Sequence, residues 1–272
     1  MRVFLACVGA WLVQSVLTWA GLGFSWGVLL SAALTTAVLY SAAAASGARG
    51  WPLFWLLTVL CGGIGVVNIQ IESFAFGMAP LSATVRDTLL QIVQLAVVTA
   101  IITIGMARSV PAESAAPALA RRLRLRLPAV ALSYMVLYLV AGSLIYPFVR
   151  HFYMTSDLIV IPKIGVILGV QFLRGLVYAA ALLPLLRRMA GRRAHAALVA
   201  GLSLSVFGGI APLLLPVDSI LPPEVRAVHM IEILGSNFVL GVIGAWLLVR
   251  RPPSRRRAEA VAAPEDVLVA RV

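Results

Sequence analysis

Residues 121–150 read RRLRLRLPAVALSYMVLYLVAGSLIYPFVR, a cluster of arginines followed by 23 residues without a charge. At about 1.5 Å of rise per residue, an apolar helix of this length crosses the roughly 30 Å hydrocarbon layer of a bilayer. Polarity does not alternate along it, as it would in a strand of a membrane β-barrel. The pattern therefore predicts a transmembrane helix with a basic flank.

The same pattern recurs along the chain. The composition is 61% hydrophobic and 12% charged, and the mean hydropathy is +1.00, which leaves too little polar surface for an ordinary soluble domain. We predict an all-α polytopic bundle of about eight transmembrane helices in one domain, residues 1–249, and a basic, disordered tail, residues 250–272. The predicted spans are residues 3–20, 26–45, 51–71, 87–106, 128–149, 162–186, 194–216 and 227–249. Four spans precede the basic loop and four follow it, which allows two parallel halves of weakly related sequence.

The distribution of basic residues predicts the orientation. Of the 22 Lys and Arg residues, most lie at the N-terminus, in alternate loops or in the tail. The exceptions are Arg86, Arg150, Lys163, Arg174 and Arg226. Because cytoplasmic loops retain Lys and Arg, both termini are expected in the cytoplasm of a multi-pass cell membrane protein. The net charge of +12 is expected to attract anionic lipid, and no nucleic acid is expected because aromatic residues do not interleave with the arginines.

The first span has two interpretations. Arg2, an apolar run and Thr18-Trp19-Ala20 are compatible with a secretory signal peptide. The run is about as long as a full span, however, and Trp11 and Trp19 lie near its ends, so an uncleaved helix is favoured.

Polar residues at membrane depth are the candidate functional residues, because an ionised group at the bilayer centre costs about 2.5 to 3.5 kcal/mol. Asn68 and Glu72 share one face near the outer end of the third span. Asp87, Gln91 and Gln94 form a stripe on the fourth span, and we expect this stripe to face protein.

Arg174 is predicted to be the costliest residue in the chain. It follows Lys163 by eleven residues and should lie about 17 Å deeper on nearly the same face. On the last span, His229, Glu232 and Ser236 share a face, and Asn237 follows. We expect that Glu232, with Glu72 as a second candidate, neutralises Arg174 in a polar pocket open to the outside.

The histidines allow a metal-binding alternative. His151 and His229 together with Glu72 and Glu232 are ordinary ligand types for a divalent ion, but hydrogen-bonding histidines are the more common case. We assign no metal and no cofactor. The sequence also lacks a phosphate-binding loop and a GxSxG nucleophile motif, so it does not support ATP hydrolysis or serine chemistry.

Three functions are compatible with these residues. The first is a carrier or permease-like protein for a small polar or anionic solute or for protons. The second is a non-catalytic membrane subunit whose polar centre fixes the helices. The third is an intramembrane hydrolase that uses a Glu/His pair as general base. The carrier ranks first, and an enzyme is not favoured.

Overall fold

The computed structural model describes residues 1–106, 123–156, 160–189, 192–216 and 221–249. These residues form an all-helical bundle with eight helices long and apolar enough to cross a membrane, as predicted. The helices are α1 (Arg2–Leu22), α2 (Trp26–Ser46), α3 (Gly50–Ala75), α4 (Leu81–Met106), α5 (Leu123–Thr155), α6 (Ile164–Arg188), α7 (Arg193–Leu213) and α8 (Pro223–Leu248). The predicted tail and most of the basic loop lie outside the described residues.

Local sequence signals account for several helix ends. The Ser25 side chain accepts a hydrogen bond from the Val28 amide and caps the start of α2, and Gly47 ends α2 in the left-handed region at φ 61°. Pro223 begins α8, where its missing N–H would have no partner. Helices α4 and α5 are longer than predicted, because α4 begins at Leu81 and not at residue 87, and α5 runs from Leu123 to Thr155 and not from 128 to 149.

The eight helices form two groups of four with the same arrangement of neighbours. In the first group, α1 packs against α2 and α4, and α3 packs against α4. In the second group, α5 packs against α6 and α8, and α7 packs against α8. The two groups meet through α2, α3, α6 and α7. This is the arrangement that two parallel halves predict, and it places α3 of the first group against α6 and α7 of the second.

Two π-helical segments lie where the groups meet. One is Gly62–Val67 in α3, the other is Val206–Ile210 in α7, and they pack against each other. Glycines allow close approach here: a Cβ on Gly65 would lie 3.1 Å from the Phe207 carbonyl oxygen of the other π segment, and one on Gly63 would lie 2.7 Å from the Ala181 Cβ on α6. Single π-helical turns often occur at functional sites because they shift the side chains that follow. Here Asn68 follows directly.

We call the end of the bundle at which α1, α3, α5 and α7 finish the distal end. Short connections follow those four helices, and α2, α4, α6 and α8 begin there. The two π segments lie in the distal parts of α3 and α7. The polar residues that the sequence singles out on α3, α4, α6 and α8 all lie in the distal half of their helices or near the middle.

Candidate polar cavity

Arg174 on α6 is the centre of a buried polar cluster. Its side chain is 4% exposed, and its Nη1 lies 2.5 Å from Glu72 Oε1 on α3. The Nε group donates to Asn68 Oδ1 at 2.6 Å, and Nη1 also donates to Gln171 Oε1 at 2.9 Å. We call Asn68, Glu72, Gln171 and Arg174 the Arg174 cluster.

The Arg174 cluster is held together by backbone and aromatic contacts as well. The Asn68 amide donates to the Arg174 carbonyl at 3.1 Å, so side chain and main chain of Arg174 both bind the same residue. The guanidinium lies over the Tyr134 ring at 5.5 Å, a favourable cation–π distance. Asn68 and Gln171 are fully buried. The charge of Arg174 is therefore matched by one carboxylate and by amides in fixed positions, as a buried ion requires.

The prediction that Glu232 is the main partner of Arg174 is wrong, because Glu72, the second candidate, forms the ion pair. Glu232 on α8 instead accepts from His229, with 2.8 Å between its Oε2 and His229 Nδ1. The other ring nitrogen, Nε2, lies 2.9 Å from the Tyr153 hydroxyl on α5. We call Tyr153, His229 and Glu232 the His229 cluster. Spacing along the helix explains this pairing, since His229 and Glu232 are three residues apart on one face.

A cavity of about 570 Å³ connects the two clusters in the distal half of the bundle. Glu72 and Arg174 line one part of its wall, and Tyr153, His229 and Glu232 line another. Tyr138 lines the same cavity. The carboxylates are not fully enclosed, since the Glu72 side chain is 29% exposed and the Glu232 side chain 8%.

The rest of the wall is apolar with scattered polar groups. Aliphatic residues and aromatic rings supply most of the lining, and the Tyr178 ring is fully buried there. The Tyr178 hydroxyl makes no hydrogen bond of ordinary geometry to a described residue. Gly208 keeps this corner open, because a Cβ there would lie 3.0 Å from both the Tyr178 hydroxyl and the Asn237 amide nitrogen. Asn237 itself donates to the Leu204 carbonyl at 3.1 Å.

The structure brings six of the nine predicted site residues to this region. Glu72, Arg174, His229, Glu232 and Asn237 line the cavity, and Asn68 is directly behind the wall.

The structure places Asp87, Gln91 and Lys163 away from the cavity wall. Lys163 is exposed just before α6, and Asp87 pairs with exposed Arg86 at 2.9 Å. The expectation that the Asp87, Gln91 and Gln94 stripe faces protein is wrong for Gln94, which is exposed. The distal part of α4 has few buried residues, because α4 packs mainly through its other half against α1 and α3.

In the part of the chain that the structure describes, the proposed metal ligands do not come together. No three His, Cys, Asp or Glu side chains of that part are grouped as metal ligands. His151 is exposed and does not line the cavity, whereas both ring nitrogens of His229 already have partners.

Sequence reasoning missed the tyrosines of the site and one amide, Gln171. Gln171 and Tyr178 lie three residues before and four residues after Arg174, so helical spacing places them on its face. Tyr134 and Tyr138 share a face of α5 for the same reason. This signal was present in the sequence but could not be distinguished from ordinary core tyrosines before the neighbouring helices were known.

Comparisons of the chain with protein-family models, with curated proteins and with solved structures found no match.

Proposed function

We propose that this protein is a multi-pass membrane carrier whose substrate binds in the cavity between the Arg174 cluster and the His229 cluster. The observation that carries the proposal is the cavity itself, because it is large enough for a small organic molecule and has ionisable groups on its wall. Ionisable residues within transmembrane segments commonly mark solute or proton pathways.

We further propose that the cavity opens toward the extracytoplasmic side of the cell membrane. It lies in the distal half of the bundle, whereas arginine clusters follow α4, α6 and α8, and Arg49 follows α2, where those helices end away from the distal end. Cytoplasmic loops retain such residues, so the distal end should face outward. Anionic lipid at the cytoplasmic surface is the proposed partner of the arginines.

A purely structural subunit accounts for the Arg174 cluster but less well for the His229 cluster. Fixed partners around Arg174 are what a register-setting ion pair needs. The bond from His229 to Tyr153 joins α8 to α5, but the pairing of His229 with Glu232 lies within one helix and faces an open volume. This second cluster beside the cavity favours the carrier over the structural subunit.

An intramembrane hydrolase is the second candidate. The 2.8 Å contact between His229 and Glu232 resembles the pairing of a general base with the carboxylate that orients it. The Tyr153 hydroxyl is hydrogen-bonded to His229 Nε2, so this nitrogen can act as a base toward the cavity only after that hydrogen bond breaks. Hydrolysis of a lipid or peptide that is lost in Glu232→Gln would favour this candidate over the carrier.

Cysteine accessibility tests the carrier proposal without knowledge of the substrate. Ser236 lines the cavity, whereas Ser203 is fully buried in α7 away from it. In a background with Cys7 and Cys61 replaced by alanine, Ser236→Cys should react with a membrane-impermeant maleimide in right-side-out vesicles. Because a carrier exposes its site to each side in turn, the same variant should also react in inside-out vesicles. Ser203→Cys should react in neither.

The pattern of labelling separates the candidate functions. Labelling from both sides supports a carrier, and labelling from the outside alone indicates a one-sided pocket such as that of a hydrolase. Protection of Ser236→Cys in both orientations would contradict the proposed cavity and leave the structural subunit.

A further inference from the structure

The cavity has one more carboxylate than its fixed cations can neutralise. The charged and titratable acid–base residues on the described part of its wall, tyrosines aside, are Glu72, Arg174, His229 and Glu232. Glu72 already neutralises Arg174, and the same guanidinium is committed to Asn68 and Gln171. Glu232 is left with the imidazole of His229. When that imidazole is neutral, the wall has an excess of one negative charge.

The remaining wall is suited to an apolar cation. Five tyrosine rings contribute to it, among aliphatic side chains; they are Tyr134, Tyr138, Tyr146, Tyr153 and Tyr178. Aromatic faces attract cations, most strongly where water is excluded. The Arg174 guanidinium over Tyr134 is an example of this interaction in the same wall.

A buried polar group in the wall leaves room for a ligand atom beside it. The Tyr178 hydroxyl is fully buried near the Tyr134 and Asn237 side chains, without a hydrogen bond of ideal geometry to either, and Gly208 leaves space beside it. A buried hydroxyl without a partner is costly, and its oxygen can accept from an N–H of a bound molecule or from water.

We propose, on the basis of the carrier function above, that the cavity binds a lipophilic organic monocation and that this cation competes with a proton on the His229 cluster. With His229 neutral, the bound cation neutralises Glu232. With His229 protonated, the imidazolium neutralises Glu232 and the cation loses its counter-charge. No bond is made or broken other than that of the exchanged proton.

The other charged and titratable groups near His229 are compatible with this exchange of a proton for a cation. Helix α6 contributes Arg174 and Tyr178, α3 contributes Glu72, and α5 contributes the tyrosines Tyr134, Tyr138, Tyr146 and Tyr153. The described part of α7 contributes no charged side chain to the wall, and Arg226 of α8 lies outside the wall and binds the Leu215 carbonyl at 2.8 Å. Because Arg174 is already paired with Glu72, protonation of His229 changes the charge that a ligand meets.

Two probes of nearly equal shape and opposite charge test the proposal. Tetraphenylphosphonium and tetraphenylborate should be titrated into the full chain in nanodiscs, at a pH about two units above and then one unit below the ordinary imidazole value of about 6.5. At the higher pH the phosphonium should bind at least about tenfold more tightly than the borate, and at the lower pH this preference should shrink. Phosphonium binding in weak buffer should release up to one proton.

Two substitutions each remove one negative charge from the wall, and a third leaves the charge of the wall unchanged. Glu232→Gln should weaken phosphonium binding about tenfold or more, and Glu72→Gln should shift the preference toward the borate, because Arg174 then lacks its carboxylate. Asp87→Asn is the matched control, since Asp87 lies outside the cavity wall and should leave both affinities unchanged. The unfolding midpoint of each variant shows whether it is folded.

The outcomes distinguish this proposal from the carrier proposal. Tighter binding of the borate, equal binding of both probes, or an effect of Asp87→Asn as large as that of Glu232→Gln overturns the cation proposal. If neither probe binds but Ser236→Cys is labelled from both sides, the cation proposal fails and the carrier proposal stands. Absence of binding together with protection of Ser236→Cys overturns both.

Discussion

The two polar clusters differ in what surrounds their charges. Arg174 has a carboxylate, two amides and an aromatic ring in fixed positions, and its side chain is 4% exposed. His229 has one carboxylate and one phenol and faces a cavity, with its side chain 15% exposed. A charge satisfied by fixed partners holds helices in place, whereas a titratable group beside open volume can change its partner. We therefore expect the first cluster to determine stability and the second to determine ligand binding.

Substitution of Arg174 should have the largest effect on stability. Arg174→Met leaves the carboxylate of Glu72 and two buried amides without their partner, at a cost of about 3 to 5 kcal/mol in the free energy of unfolding. Denaturation in mixed detergent micelles measures this cost. The control is Arg86→Met, which removes an exposed ion pair and should cost about 0.5 kcal/mol or less. Equal effects of the two substitutions would contradict the structural role of the Arg174 cluster.

Substitution of His229 should have an intermediate effect on stability. His229→Ala removes hydrogen bonds to Tyr153 and Glu232, but cavity water can replace them, so about 1 to 2 kcal/mol is expected. The same denaturation experiment measures it. A loss as large as that of Arg174→Met would show that the His229 cluster is also a structural lock.

Removal of one hydroxyl from the His229 cluster should have the smallest effect. Tyr153→Phe keeps the ring packed and deletes only the bond to His229 Nε2, which predicts a loss of about 1 kcal/mol. The freed nitrogen should become accessible from the cavity. Proton exchange at the His229 imidazole, measured by NMR in the variant and in the unchanged chain, tests this, and unaltered exchange would contradict the role of Tyr153.

Most of the candidate site was predictable as a set of residues but not as a set of contacts. Arg174, Glu72 and Glu232 were identified because charges inside apolar segments are costly. The contacts of Arg174 with Asn68 and Glu72 could not be read from the sequence, because these two residues lie on a different helix and more than 100 residues away from it. The preference for Glu232 over Glu72 failed because depth along a helix gives no information about which helices are neighbours.

The sequence alone determined the helical class and the number of long helices, because hydrophobic length and the positions of charges are properties of consecutive residues. The helix ends were less certain, as α4 and α5 show. The tertiary structure alone decided that α3 lies against α6 and α7, that glycines in two π segments let them approach, and that an open volume separates the two clusters. These features depend on how side chains of distant segments fill space together, which no single segment specifies.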